Sequence, residues 1–170
     1  MKTEELRSVQ APLKKQYHEH PESAFITLKA QGRIGEGVSC SVDTGRALVE
    51  AGLHPATGGN GMSVCSGDML LEALVACAGV TLSAVATAIG VAIEEGIVRA
   101  EGDLDFRGTL GVSKEVPVGF QTIRLMFDLK TDATEEQLST LLRLTERYCV
   151  VYQTLSHSPS MSVSNRIVRS

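Results

Sequence analysis

The sequence predicts an α+β domain, with helices gathered on one face of an antiparallel sheet, and three observations carry that expectation. Apolar and polar residues alternate in short segments near 38–42, 98–106 and 123–129. One long segment, Met69 to Ala86, is apolar almost all round. A second helical segment opens with Thr134-Glu135-Glu136-Gln137 and keeps its apolar residues to one side. The order is therefore strands, apolar helix, strands, helix and a last short strand. At 170 residues this fits one domain.

Residues 1–22 are polar and end in His18-Glu19-His20-Pro21. They read as an N-terminal arm, long enough to wrap a partner subunit or to trail as a tail, before a single domain at 23–170. Phe25-Ile26-Thr27-Leu28 is strand-like after the punctuating proline. Val38, Cys40 and Val42 alternate with Ser39, Ser41 and Asp43, the period of a half-buried strand. Between Gly52 and Gly67 stand Pro55, Gly58, Gly59 and Gly61, so this stretch reads as a long loop. The apolar helix follows, with Ser66 or Asp68 as its N-cap and Gly90 as its stop. Its ends are polar and it is rich in Ala73, Ala76, Ala78, Gly79, Ser83 and Ala84, which fits a core helix packed closely on all sides better than a membrane span.

Val98, Ala100, Leu104 and Phe106 then alternate with charged residues, as do Ile123, Leu125, Phe127 and Leu129, giving two strands with one wet face each. Thr134 with Gln137 forms a capping box, and Leu138, Leu141, Leu142, Leu144 and Thr145 supply the apolar side of the second helix. Met161, Val163 and Ile167 suggest the final strand.

Charge and composition exclude several functions. The formal charge is −4 with no Lys/Arg block, which disfavours nucleic acid and anionic membrane as partners. Trp is absent and Phe and Tyr total seven, too few for a base-stacking platform. The polar start MKTEELRSVQ is no signal peptide, so a cytoplasmic location is expected. Cys40, Cys65, Cys77 and Cys149 show no CxxC spacing and no zinc-finger histidines. No metal or other cofactor is expected. Each cysteine taken alone is simply a small buried hydrophobe. Cys77 and Cys149, however, fall on two helices of one core, which admits a redox pair between them.

Ser66-Gly67-Asp68-Met69-Leu70-Leu71-Glu72-Ala73-Leu74-Val75-Ala76-Cys77-Ala78 resembles the surroundings of the first cysteine in the OsmC/Ohr family, the osmotically inducible and organic hydroperoxide resistance proteins. Arg143-Leu144-Thr145-Glu146-Arg147-Tyr148-Cys149-Val150-Val151-Tyr152-Gln153-Thr154-Leu155 resembles the region of its second cysteine. The resemblance implies an OsmC-like fold, with antiparallel sheets around two central helices in an intertwined homodimer. It implies a thiol peroxidase for organic hydroperoxides or hydrogen peroxide, with Cys77 peroxidatic, Cys149 resolving and an external dithiol as reductant. A family arginine activates the thiol. Arg33, in Gln31-Gly32-Arg33-Ile34-Gly35, stands at the matching place, and Arg46 is the second candidate.

The chain departs from the family at two points. A Pro-Glu pair whose glutamate holds the arginine is replaced by Ser66-Gly67-Asp68, leaving Asp68 and Glu72 as candidate supports. Val150 stands where proline often follows the second cysteine. The first departure keeps a rival open: a binding protein on the same scaffold that holds a small apolar or thiol-bearing ligand, with weak or no peroxidase activity. His54 reads first as a loop-positioning residue and second as a pocket residue, Tyr152 and His157 as pocket or surface residues, Cys65 as an alternative resolving thiol, and His18 with His20 as a solvated pair rather than a metal grip.

Overall fold

The computed structural model describes residues 48–111 and 113–168 continuously, the strands at 31–34 and 39–43 at the level of the backbone, and positions 2–4, 8, 11 and 19 of the arm. The strand expected at Phe25–Leu28, the arm histidines and Arg46 lie outside the described residues. Four strands make the first sheet: β1 (Gln31–Ile34), β2 (Ser39–Asp43), β3 (Leu48–Gly52) and β4 (Val64–Cys65). The first three run antiparallel, with Cys40 of β2 opposite Ile34 and Ala51. β4 adds a two-residue parallel pairing to β3. The stretch read as one loop thus contains β4 and a 3-10 turn at Pro55–Thr57, capped by the His54 ring.

Helix α1 (Ser66–Ile89) follows at once. Its N-cap is Cys65, not Ser66 or Asp68, and Cys65 makes no capping bond with its side chain. Because β4 runs straight into the helix, the last strand residue takes the cap position. Gly90 ends α1 as expected, at φ 74°, a left-handed conformation that glycine adopts without strain.

α1 is not buried all round. Leu74, Ala78, Leu82, Val85 and Ala86 form its buried stripe. Val80, on the opposite face, is 72% exposed. The helix is long and apolar enough to cross a membrane, yet its stripe packs against a sheet and two helices as a core helix does.

The second sheet is a hairpin of β5 (Glu95–Asp103) and β6 (Thr122–Lys130), paired antiparallel from Glu95–Lys130 to Asp103–Thr122. β5 stops before Leu104. Phe106, expected on the same strand, lies in the short helix α2 (Phe106–Thr109). The wet face of the hairpin carries the cross-strand ion pairs Arg99–Asp128 and Arg124–Asp103, with Lys130 2.9 Å from Glu94.

The opposite face, Val98, Ala100, Ile123, Leu125 and Phe127, packs on α1. α3 (Glu135–Tyr148) starts at the expected capping box, Gln137 N–H donating to Thr134 Oγ1 at 3.3 Å and Thr134 N–H to Gln137 Oε1 at 2.9 Å. It buries Leu141 against Leu82, Val85 and Val91, and α4 (Val150–Ser156) closes the layer. Residues 157–168 form no strand among the described residues. Met161, Val163 and Ile167 are 75–98% exposed there and pair with none of the described strands. Thr3 of the arm donates its hydroxyl to the Thr87 carbonyl at 3.0 Å, so the arm begins against α1 of its own chain.

Candidate functional site

The second cysteine region does not continue one helix. α3 ends at Tyr148, and Cys149, in an extended conformation (φ −73°, ψ 107°), serves as the C-cap of α3 and the N-cap of α4. Its amide still donates to the Thr145 carbonyl at 2.9 Å, and its carbonyl accepts from Gln153. This corner turns α4 across α1 and leaves Cys149 fully buried, packed with Leu74 and Ala78. Those two residues flank Cys77 on its own helix, so the fold brings the two cysteines together. Both are free thiols, Cys77 packs against the cluster that contains Cys149, and each thiol shifts the ionisation of the other.

The electrostatics of the pair are asymmetric. Burial pushes the Cys77 thiol up, but the backbone N–H of Val151, the Cys149 thiol, the Thr81 hydroxyl and the backbone N–H of Val150 outweigh it. Together they hold Cys77 below the ordinary thiol value. Burial pushes Cys149 up, and the neighbouring Cys77 adds to that rise. The backbone N–H groups of Tyr152 and Val151 offset the rise only in part. Cys77 is therefore the better thiolate of the two, and Cys149 stays protonated beside it.

Among the described residues, none of the groups that lower Cys77 is a cation. The sequence argument weighed only a positive charge, from Arg33 or Arg46, whose side chains lie outside the described residues; the neutral donors are an additional source. Val150 and Val151 supply them because the chain breaks at Cys149 and starts a new helix whose first amides have no helical partner. The valine at 150, one of the departures from the family pattern, is what provides an N–H there. Thr81, one turn beyond Cys77 on α1, was also missed, although its i+4 spacing places it on the same face.

The other candidates fall elsewhere. Arg33 lies on β1 opposite Ser41, and its side chain is outside the described residues. Asp68 lies in the first turn of α1, and Glu72 is exposed. Cys65 is twelve residues from Cys77 on one helix, a rise of about 18 Å, so it is not a resolving thiol for Cys77. Tyr152 packs against Cys149 and gives it an amide, whereas His157 is exposed past the end of α4. His54 stacks on Phe106, with ring centroids 4.8 Å apart. No three His, Cys, Asp or Glu side chains gather as a metal site among the described residues.

Residues 58–164, which span α1, the hairpin and both cysteines, match the family described as OsmC-like protein. The chain belongs to the OsmC family. Solved structures agree on the fold. This OsmC-family chain is similar to the OsmC-like protein of Mycoplasma pneumoniae at 15% identity and a TM-score of 0.66, covering 78% of this chain and 89% of that one. It is similar to an organic hydroperoxide resistance protein of Elizabethkingia anophelis at 16% identity and a TM-score of 0.63, covering 79% and 91%. It is also similar to the organic hydroperoxide resistance protein OhrB of Bacillus subtilis at 18% identity and a TM-score of 0.54, covering 78% and 93%. No curated protein sequence matches the chain. The OsmC-like α+β fold expected from the sequence is thus the fold observed, and membership of the family supports a peroxide-related role.

Proposed function

We propose that this OsmC-family chain is a cysteine-based peroxidase that reduces organic hydroperoxides or hydrogen peroxide. The observation that carries this reading is the asymmetric thiol pair, Cys77 lowered and Cys149 raised, in mutual contact. The Cys77 thiolate attacks the terminal oxygen of ROOH, the O–O bond breaks, and the departing alkoxide takes a proton to leave as ROH. Cys77 is then a sulfenic acid. The Cys149 thiol attacks its sulfur, water leaves, and a Cys77–Cys149 disulfide forms. A small external dithiol returns both thiols by exchange and becomes the disulfide itself. No cofactor enters the cycle. Arg33 and Glu72 are the residues assigned to support Cys77 beyond the neutral donors; Asp68, nine positions before Cys77 and about 13 Å along α1, is not among them.

The working form is a homodimer in this reading. Ala73, Ala76, Val80 and Ser83 line the face of α1 turned from the core, small enough for a second helix to approach closely. The extended tail with Met161, Val163 and Ile167 offers further uncovered apolar surface. A resettable disulfide also fits a reducing compartment, the cytoplasm.

The test is intact mass and peptide mapping after one equivalent of cumene hydroperoxide is added to reduced protein. Rapid loss of two hydrogens, mapped to Cys77–Cys149, is expected. Slow oxidation scattered over all four cysteines refutes the reading.

A further inference from the structure

A hollow of about 520 Å3 lies at the N-terminal end of α1, and the proposed peroxidase cycle does not use it. It shares no residue with the cluster around Cys77. Its closest lining residue on α1, Leu71, stands six positions before Cys77, about 9 Å along the helix and a third of a turn round. It lies on the core stripe of α1 ahead of Leu74, the first residue of that stripe to meet Cys149. A second hollow, about 450 Å3 beside the later turns of α1, holds neither thiol and has the backbone and acids of 94–96 as one wall.

The walls of the first hollow are built by the sequence. A Cβ at Gly102 would fall 2.5 Å from Phe120 Cε1, and one at Gly67 would fall 3.4 Å from Phe120 Cζ. Two glycines therefore seat the Phe120 ring, which closes one side. Leu53, Leu70, Leu71, Leu104 and Phe106 make most of the remaining wall apolar. The volume is that of sites for small organic molecules.

Hydroxyls of Thr57, Ser66 and Thr109 and the Cys65 thiol also reach the lining, but the strongest polar groups among these carbons are Asp68 and His54. Asp68 brings the only carboxylate among the described residues of the lining. His54 is held by stacking on Phe106 and by its Nδ1, which accepts the Ala56 N–H at 3.0 Å. The proton of that ring then sits on Nε2, making it a donor. A hydroxyl both donates and accepts, so it suits one carboxylate and one ring N–H together. An organic anion would instead meet the charge of Asp68.

We propose that this hollow is a small-molecule site for an uncharged, mainly hydrocarbon compound bearing a hydroxyl group, separate from the thiol pair. The proposal rests on the hollow alone and stands whether or not the chain is a peroxidase. His54 and Phe106 are locked together before any ligand arrives, so binding orders little of the wall.

The test uses 2-phenyl-2-propanol, which does not react with thiols, titrated into the full reduced chain by calorimetry and by methyl NMR. Saturable binding that shifts the methyl signals of Leu53, Leu70, Leu71 and Leu104 is expected. Leu104→Trp fills the wall, and Val118→Trp plugs the exposed rim where folding is not at stake. Each should weaken binding roughly tenfold or more, while Cys77→Ser leaves it unchanged. The anion 4-isopropylbenzoate should bind more weakly than the alcohol, and Asp68→Asn should narrow that gap. The proposal is overturned by absence of saturable binding, by equal binding in both tryptophan variants, by loss of binding in Cys77→Ser, or by a preference for the carboxylate.

Discussion

Replacing Val150 by proline isolates one hydrogen bond to Cys77 with little else disturbed. Val150 is the first residue of α4, and its side chain is 69% exposed, so packing loses almost nothing. Proline is favoured at this helix position because its fixed φ suits the first turn and no helical bond needs its N–H. The residue before a proline must be extended, and Cys149 already is, at φ −73° and ψ 107°. What disappears is the Val150 N–H, the smallest of the contributions that lower the Cys77 thiol. Hydrogen bonds to charged groups contribute about 1.5–3 kcal/mol, and the weakest of four donors to a partly buried sulfur sits below that range, at roughly 1 kcal/mol. At about 1.4 kcal/mol per tenfold, the thiolate population at neutral pH falls roughly fivefold. The assay is the second-order rate of iodoacetamide alkylation at Cys77, followed by peptide mass, with Val150→Ala as the control that keeps the N–H. A Val150→Pro protein that folds normally yet alkylates at the wild-type rate would refute the claim that backbone donors set this thiol.

Thr81→Val removes the hydroxyl donor at nearly constant volume and should slow the same alkylation several-fold, whereas Thr81→Ser should preserve it. The two thiols should also separate by pH. Cys77 lies below the ordinary thiol value of 9.0 and Cys149 above it, so with rising pH Cys77 should alkylate first and Cys149 only on the alkaline side; the reverse order would contradict the assignment. Under repeated cumene hydroperoxide, Cys149→Ser should allow a single turnover and then over-oxidise at Cys77, while Cys77→Ser should show none, as read by peptide mass. Leu141, fully buried between α3 and α1, should cost about 2–5 kcal/mol on truncation to alanine in a denaturant titration.

The secondary structure was legible where local signals are strong. The Thr134 capping box and the Gly90 stop fall where the sequence puts them, because each depends on residues within one turn. The hairpin strands were legible from period-2 alternation, except at the end of β5, where Leu104 and Phe106 keep the alternation after the pairing has stopped. On spacing alone the pairing of Cys77 with Cys149 was an open alternative, since seventy-two residues separate them and no periodicity reports a contact at that range; it was the family resemblance that implied it. Their asymmetry was illegible for a different reason. It comes from main-chain N–H groups freed where α3 gives way to α4, and the sequence around Cys149 has neither proline nor glycine to mark that break.

Gly67 and Phe120 are best understood as one change. Gly67 stands where the family resemblance leads one to expect a glutamate, and its missing side chain leaves room that Phe120 takes. A Cβ there would sit 3.4 Å from Phe120 Cζ and 3.6 Å from Cys65 Sγ, ordinary contact that leaves the atoms beyond a Cβ facing the ring. A full glutamate would have to displace the ring, and the ring also lies on Gly102, where the approach is tighter still. Gly67→Glu alone should therefore lower the unfolding midpoint without speeding alkylation of Cys77, because the new carboxylate meets an aromatic wall. In the double variant Gly67→Glu/Phe120→Ala the space reopens, and part of the lost stability should return. If the single variant were as stable as wild type, Phe120 would not be holding that space. The apolar hollow at the head of α1 would then owe its shape to something other than the loss of the glutamate.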